Sequence, residues 1–455
     1  MNGSSKLFRT LWRWHFYAGL FVLPFIITLS LSGTAFLFKP QIEQWEERAY
    51  RALPSQDAVT PGRRVDAALA AFPGAQLHSY RIPAQAGDAA LVHLSLPDGG
   101  LMRDVFVSPQ GAVIGSLASD SRIVEVARRI HSQLLLGLAG SWLVELAACW
   151  AIVMLVTGLF LWWPRGRGAA GVLWPRRRSM LRDLHAVTGF WVSLFALVLL
   201  LSGLPWSHVW GSAFRAVRAE MGWVKGAPQW NTGGQDAAAP APHTDHDHAA
   251  MQDSAGSHAA HAAQPDLALL DSIVARAGNE SLAYPAIVLV PGAALFGSAS
   301  ADWVATSLTQ NRPQGKSITY DRDTGEELSR ERFADRHPID RVIGYGQAWH
   351  EGALVGPLNQ LVGLLTATAL VTMSITAFLM WRRRRPVGAL GAPTLPSQRR
   401  IPWVITAATL LLALLLPLLA ASLLLLWLVD RVLPRVSPRA ANWLGIAPVS
   451  REPMP

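Results

Sequence analysis

The chain has one cysteine, Cys149, in 455 residues. That excludes an internal disulfide framework, a cysteine-ligated iron–sulfur cluster and a cysteine-type zinc site. Charge is also scarce. Asp, Glu, Lys and Arg make up 16% of the chain, against roughly a quarter in ordinary soluble domains. No Gly-x-Gly-x-x-Gly follows a strand-like run, so nothing points to a dinucleotide-binding unit. No acid–base pair or nucleophile triad stands out either, which leaves hydrolysis without support. What fills the chain is apolar: 51% of residues, with a mean hydropathy of +0.24.

Five runs are long and apolar enough for a ~30 Å hydrocarbon core, which takes ~20 helical residues. They extend from Phe16 to Phe38, Ser141 to Trp163, Ala186 to Trp206, Leu358 to Trp381 and Pro402 to Val429. Trp12, Trp14, Trp162, Trp163, Trp206, Trp381 and Trp403 gather at their ends, as interfacial anchors do. The segments 1–14, 164–184 and 382–401 hold 15 Lys and Arg against one acid, Asp183, while the rest of the chain is net acidic. The high pI of about 10.3 is therefore a positive-inside signal, with the N-terminus cytoplasmic and lipid as the surrounding partner. Nucleic-acid binding loses its support, because no basic surface with interleaved aromatics is left over. The first run also has the makings of a cleaved signal peptide, but the repeat described below requires it to stay. The last run, with Pro417 inside, reads as a kinked span or a re-entrant hairpin; an odd number of crossings places the C-terminus outside.

The fold class expected is a mainly α membrane protein: a five-helix bundle with a two-fold internal repeat, plus two small α+β outer modules. The first module combines a helix at Val65–Ala71 with strands at Leu77–Ile82, Ala90–Leu96, Met102–Ser108 and Val113–Ser116. The second repeats the order, with a helix at Leu267–Ala277 and strands at Ala286–Leu289 and Ser317–Asp321. The resulting division is 1–38 for the first span, 39–130 for the first module and 131–163 for the second span with its lead-in. Residues 164–206 hold a loop and the third span, 207–349 the second module, 350–381 the fourth span with its lead-in, and 382–455 the remainder. Within the second module, 232–265 is rich in Ala, Gly, Asp and His and reads as disordered. Its His243, His246, His248, His258 and His261 suit either metal gathering or a composition-biased linker.

The repeat isolates four histidines. Trp14-His15-Phe16-Tyr17-Ala18-Gly19 opens the first span and Leu184-His185-Ala186-Val187-Thr188-Gly189 the third. Ser32-Gly33 follows His15, and Ser202-Gly203 follows His185, at the same intervals. His131 precedes Phe160-Leu161-Trp162-Trp163 as His350 precedes Phe378-Leu379-Met380-Trp381. His78, His93, His208 and His337 have no counterpart. Topology then puts His15 and His185 at the cytoplasmic end, His131 and His350 at the outer one. A lone membrane histidine is ordinarily an interfacial hydrogen-bonding residue; four at repeat-related positions, two per face, favour axial ligation of haem iron. Gly19 and Gly189 make room for a macrocycle or for close helix packing. Arg13, Arg182, Arg128 and Arg129 lie near enough in sequence to pair with propionates. His131 lies ten residues before Ser141, so Gly137 and Gly140, like Gly352, Gly356 and Pro357, suggest a break that folds the histidine back; His208 is its natural substitute.

At these residues the sequence resembles the PepSY-associated transmembrane family, iron-regulated bacterial inner-membrane proteins. The resemblance is carried by Trp14–Gly19, the His131-to-Gly137 run, Thr157-Gly158-Leu159-Phe160-Leu161-Trp162-Trp163-Pro164, Asp183-Leu184-His185, Trp349-His350-Glu351-Gly352 and Asp321-Arg322-Asp323-Thr324-Gly325-Glu326-Glu327-Leu328. It implies an oxidoreductase with two b-type haems, held by His15, His185, His131 and His350, that reduces ferric siderophore or another metal chelate on the periplasmic side. The cytoplasmic loops are too short to bind a nicotinamide, so the donor is a flavin, a flavoprotein or quinol. The competing expectation is a haem-free transporter or assembly factor for iron or copper uptake whose outer modules bind partners. Only Glu145 lies well inside a span to support coupled transport.

Overall fold

The computed structural model describes residues 3–97, 101–163, 172–176, 179–224, 265–296, 298–393 and 403–446. The tract that holds His243, His246, His248, His258 and His261 lies outside them. In chain order the helices are α1 (Gly3–Leu37), α2 (Lys39–Glu46), α3 (Pro61–Ala71), α4 (Ile123–Gln133), α5 (Gly137–Trp162), α6 (Met180–Gly203) and α7 (Val209–Glu220). They continue with α8 (Leu267–Gly278), α9 (Pro338–His350), α10 (Pro357–Arg384), α11 (Trp403–Leu415), α12 (Pro417–Val436) and α13 (Pro438–Leu444). The strands are β1 (Gln76–Arg81), β2 (Ala90–Ser95), β3 (Met102–Val107), β4 (Val113–Ala118), β5 (Ala286–Leu289), β6 (Ala294–Leu295), β7 (Ser298–Ala299), β8 (Trp303–Ser307), β9 (Lys316–Tyr320) and β10 (Glu327–Arg332). The chain divides into two compact units: Met1–Leu37, Ala127–Met221 and Val355–Pro455 form one, Phe38–Val126 and Gly222–Leu354 the other.

The first unit is the membrane unit. Among the described residues, five helices are long and apolar enough to cross a membrane: Leu7–Leu37, Gly137–Trp162, Met180–Trp206, Pro357–Arg384 and Pro417–Val436. This is a multi-pass membrane protein. Helix α1 packs on α5 and α10, and α6 packs on the same two. The four close a ring in which α1 and α6 stand diagonally opposite, so residues on their inner faces meet across the bundle. Small residues allow the close approach that lipid alone does not drive: Gly363 of α10 lies against the Leu37 side chain of α1.

The last apolar run is not a single kinked span. Pro417 lacks an N–H and disfavours α geometry in the residue before it, and Leu416 is extended at φ −128°, ψ 89°. Helix α11 climbs to this break, where the Leu415 carbonyl accepts from Trp210 Nε1 at 2.9 Å. Helix α12 returns beside α5, with Trp150 Nε1 donating to Ser422 Oγ at 3.1 Å. The residues before and after this hairpin meet at one place: Arg13 donates to Pro393 O and Gly445 O, each at 2.7 Å, and Leu390 N donates to Trp443 O at 2.9 Å. The tail therefore lies at the Arg13 end of the bundle, opposite to where an odd number of crossings places it.

The second unit corrects the expectation of two separate modules. Its eight main strands form one antiparallel sheet in the order β10-β9-β8-β5-β1-β2-β3-β4. The first strands of the two halves pair at the centre, Ser79 with Leu289, Tyr80 with Val288 and Arg81 with Ile287. A four-stranded module alone would expose β1 or β5 as a hydrophobic edge; joining them removes both edges. Helices α3 and α8 share one face, with Gly62 N donating to Asp271 Oδ1 at 2.6 Å. One core runs through both halves, including Val65, Tyr80, Val92, Leu270, Ile273, Val288, Trp303 and Ile318. On the other face a charged network covers the first half. Glu47 accepts from Arg81 at 2.7 and 3.0 Å and from Arg122 at 2.7 Å.

Candidate functional site

His15 enters from α1 and His185 from α6, the diagonal pair of the ring. Their ring centres stand 6.4 Å apart with the planes at 77°. Each ring is fixed by the neighbouring helix. His15 Nδ1 lies 3.0 Å from Met154 O of α5, and His185 Nδ1 lies 3.1 Å from Met373 O of α10. A carbonyl oxygen only accepts, so both Nδ1 atoms carry the proton and both Nε2 atoms keep a free lone pair. This is the state in which an imidazole binds a metal, with its outer nitrogen donating to a backbone oxygen.

The spacing fits a metal held between them. With metal–nitrogen bonds of about 2 Å, and about 1.2 Å from nitrogen to ring centre, each centre lies about 3.2 Å from the ion. Two centres 6.4 Å apart are therefore no farther apart than two imidazoles that share one ion. Two protein ligands suffice for haem, and among the described residues no group of three or more His, Cys, Asp or Glu forms a metal cluster.

The two helices that hold these rings use matching residues. Thr157 Oγ1 bonds to Val153 O and Met154 O, and also lies 3.3 Å from His15 Nδ1. Thr376 Oγ1 bonds likewise to Thr372 O and Met373 O. Trp162 Nε1 donates to Val172 O at 3.1 Å and Trp381 Nε1 to Leu390 O at 2.9 Å. Met-x-x-Thr followed by Trp thus occurs at equal spacing in both helices. With Trp162 as the counterpart of Trp381, both His-to-Trp intervals are 31 residues. Met154, Thr157, Met373 and Thr376 were not singled out from the sequence, although that spacing was there to find.

Gly158 lets His15 lie flat on α5: a Cβ there would meet His15 Cε1 at 3.0 Å. Gly19 and Gly189 face the side chains of the same two methionines. Their added Cβ atoms would meet the Met154 Sδ at 3.7 Å and the Met373 Cε at 3.1 Å. Arg13 is not available to a propionate, being engaged with Pro393 O, Gly445 O and the Tyr17 ring. Arg182 is exposed in the first turn of α6, and Arg128 and Arg129 lie on α4 with His131.

His131 reaches the opposite end of α1. The α4–α5 junction breaks at Leu134, Leu135 and Gly137, whose φ values are 51°, 60° and 58°. Ser141 Oγ donates to Ser132 O at 3.3 Å, so α4 folds back on the start of α5. His131 Nδ1 then lies 3.2 Å from Ser32 Oγ, and its ring lies over Gly33, where a Cβ would meet Cε1 at 3.0 Å. Ser32 is 17 residues beyond His15, which is about 25 Å along a helix. His350 ends α9 and belongs to the sheet unit, whereas His131 belongs to the membrane unit. Gly352 and Gly356 adopt positive φ between α9 and α10. His208 precedes α7, its ring 6.4 Å from that of Trp142. Glu145, inside the span Gly137–Trp162, accepts from Val209 N at 2.8 Å and Trp210 N at 2.9 Å. It caps the start of α7, where a carboxylate is favoured by the helix dipole.

No curated protein matches this sequence. The family model described as the PepSY-associated TM region matches residues 12–384. That match takes in the helical ring and its inward histidines, and the chain belongs to the PepSY-associated TM family.

Proposed function

We propose that this protein is a di-haem oxidoreductase of a bacterial inner membrane that passes electrons outward to ferric iron in siderophore or related chelates. The observation that carries the reading is the His15–His185 pair, 6.4 Å between ring centres across the bundle. Haem bound there supplies reversible one-electron chemistry at a fixed place in the bilayer. His15 and His185 hold the iron, while the carbonyls of Met154 and Met373 set each ring's tautomer and rotation. The second haem rests on the sequence repeat, which assigns His131 and His350 to it. The duplication is supported by the paired Met-x-x-Thr anchors and by the palindromic strand order, in which each half contributes a helix and four main strands.

The basic loops set the N-terminus in the cytoplasm, which makes His15 and His185 the entry pair and His131 and His350 the exit pair. The donor is a flavin, a flavoprotein or membrane quinol. Reduction releases iron because hard oxygen ligands hold Fe³⁺ more tightly than Fe²⁺. Glu145 is committed to capping α7, which takes away the one residue that pointed to coupled transport.

The test is an optical spectrum of the purified full chain before and after dithionite, with pyridine haemochrome quantification. Two b-type haems per chain, reoxidised on addition of a ferric chelate, are the expected result. A folded, colourless protein would end the reading.

A further inference from the structure

We propose that His78 and His93, on the face of the sheet opposite α3 and α8, form a binding site for a divalent transition-metal cation. The site is separate from the haem ligands and does not rest on the reading above. Neither histidine has a counterpart in the repeat, and a local irregularity brings them together. Strand β1 bulges at His78: Leu77 pairs with Leu94 and Ser79 with His93, so His78 is the extra residue. A bulge re-aims a side chain, and here the ring of His78 meets that of His93, 5.3 Å between centres at 79°.

Both rings are held as metal ligands are held. His93 pairs across the strands with Asp104, and its Nδ1 lies 2.6 Å from Asp104 Oδ1. That carboxylate is buried and further fixed by Ser119 Oγ at 2.8 Å and Arg122 at 3.1 Å. His78 Nε2 donates to Ala294 O at 3.1 Å. Ala294 belongs to the β6–β7 hairpin, an addition between β5 and β8 with no equivalent in the first half of the sheet.

Each ring thus turns one nitrogen to an oxygen and leaves the other for a ligand: Nδ1 of His78, with Ser79 Oγ at 3.5 Å, and Nε2 of His93. A carboxylate or carbonyl behind the imidazole is the outer shell that orients metal-binding histidines. The spacing differs from that of the membrane pair in a telling way. With each centre about 3.2 Å from a shared ion, a separation of 5.3 Å gives an angle of about 110° at the metal. That is near the tetrahedral angle, which the longer separation of the membrane pair would not allow.

No third side chain completes the sphere among the described residues, so water or an incoming chelate takes the other positions. The site is open enough for that, the His93 side chain being 23% exposed. Imidazole donors select Zn²⁺, Cu²⁺, Ni²⁺ or Fe²⁺ over Mg²⁺ and Ca²⁺.

The experiment uses the full chain with His243, His246, His248, His258 and His261 each changed to Ala, so that the linker adds no imidazoles. Zn²⁺ is titrated in competition with a chromophoric chelator, and the bound metal is read by X-ray absorption at the zinc edge. One Zn²⁺ per chain is expected in this parent, with imidazole scattering in its spectrum. His78→Ala or His93→Ala should weaken that ion at least 100-fold, and Asp104→Asn about 10–100-fold. His93→Gln, a milder change checked by circular dichroism, must give the same loss in a folded protein. A parent that binds no Zn²⁺, or binding that survives both His78→Ala and His93→Ala, overturns the proposal.

Discussion

Two histidine pairs in this chain are built from the same parts and differ in one of the groups that orient them. In the membrane unit His15 and His185 both lean on backbone carbonyls; in the sheet unit His78 leans on a carbonyl too, but His93 leans on a carboxylate that Arg122 and Ser119 also bond. The difference follows the solvent. A charged side chain inside a bilayer costs at least about 2.5–3.5 kcal/mol, so a bundle orients its imidazoles with neutral acceptors that every helix already has. A sheet bordered by water can afford Asp104 and the arginine beside it. Spacing separates them further, 6.4 Å between ring centres in the bundle and 5.3 Å at the strand bulge.

The comparison is broken most severely at the membrane pair. His15→Ala or His185→Ala should abolish one haem and leave the other, as counted by pyridine haemochrome; retention of both contradicts the pairing. Next in size is Trp303→Ala. This side chain is 1% exposed in the shared sheet core, and its loss should cost the sheet unit about 3–5 kcal/mol in denaturant unfolding, without altering the haem spectrum.

Smaller again is Glu145→Ala, which leaves the amides of Val209 and Trp210 without their acceptor. A loss of about 1–3 kcal/mol is expected in thermal melting, with electron transfer retained. Thr157→Val removes only the hydroxyl beside His15 and should weaken haem retention about 2–10-fold. The mildest effect is of pH. Burial raises the Glu47 carboxyl, but Arg81 and Arg122 more than reverse this and leave it below its usual 4.5. Its contribution to stability is complete above that value and is lost as pH falls through the lowered one. Glu47→Gln should therefore flatten the acid limb of the sheet unit's unfolding curve, and an unchanged limb would count against the network.

Much of the architecture was legible because lipid imposes length and apolarity on every crossing helix. The run from Ser141 became Gly137–Trp162, its start shifted only by the glycine-led first turn. Ala286–Leu289 is a strand as read. What escaped was pattern-free. Strand β8 is buried along most of its length and so shows no alternation. Strand β10, Glu327-Leu328-Ser329-Arg330-Glu331-Arg332, is a charged edge that no hydrophobic period marks. The pairing of β1 with β5 joins residues some two hundred positions apart, which no local signal reports.

At the site, the histidines announced themselves by spacing, yet the Met154 and Met373 oxygens that hold them are backbone atoms, which every residue has. Ser32-Gly33 was visible as a repeat marker, but its contact with His131 depends on the left-handed turn at Leu134 and Leu135. His78 was passed over because a bulge, not a motif, brings it beside His93.

The most direct test is electron paramagnetic resonance of the oxidised, purified chain beside its His185→Ala variant. Imidazole planes at 77° around one ferric haem give a strongly anisotropic low-spin signal, and the account expects that signal in the native chain and its loss in the variant. A native chain without low-spin haem, or a low-spin signal that persists unchanged without His185, would contradict it.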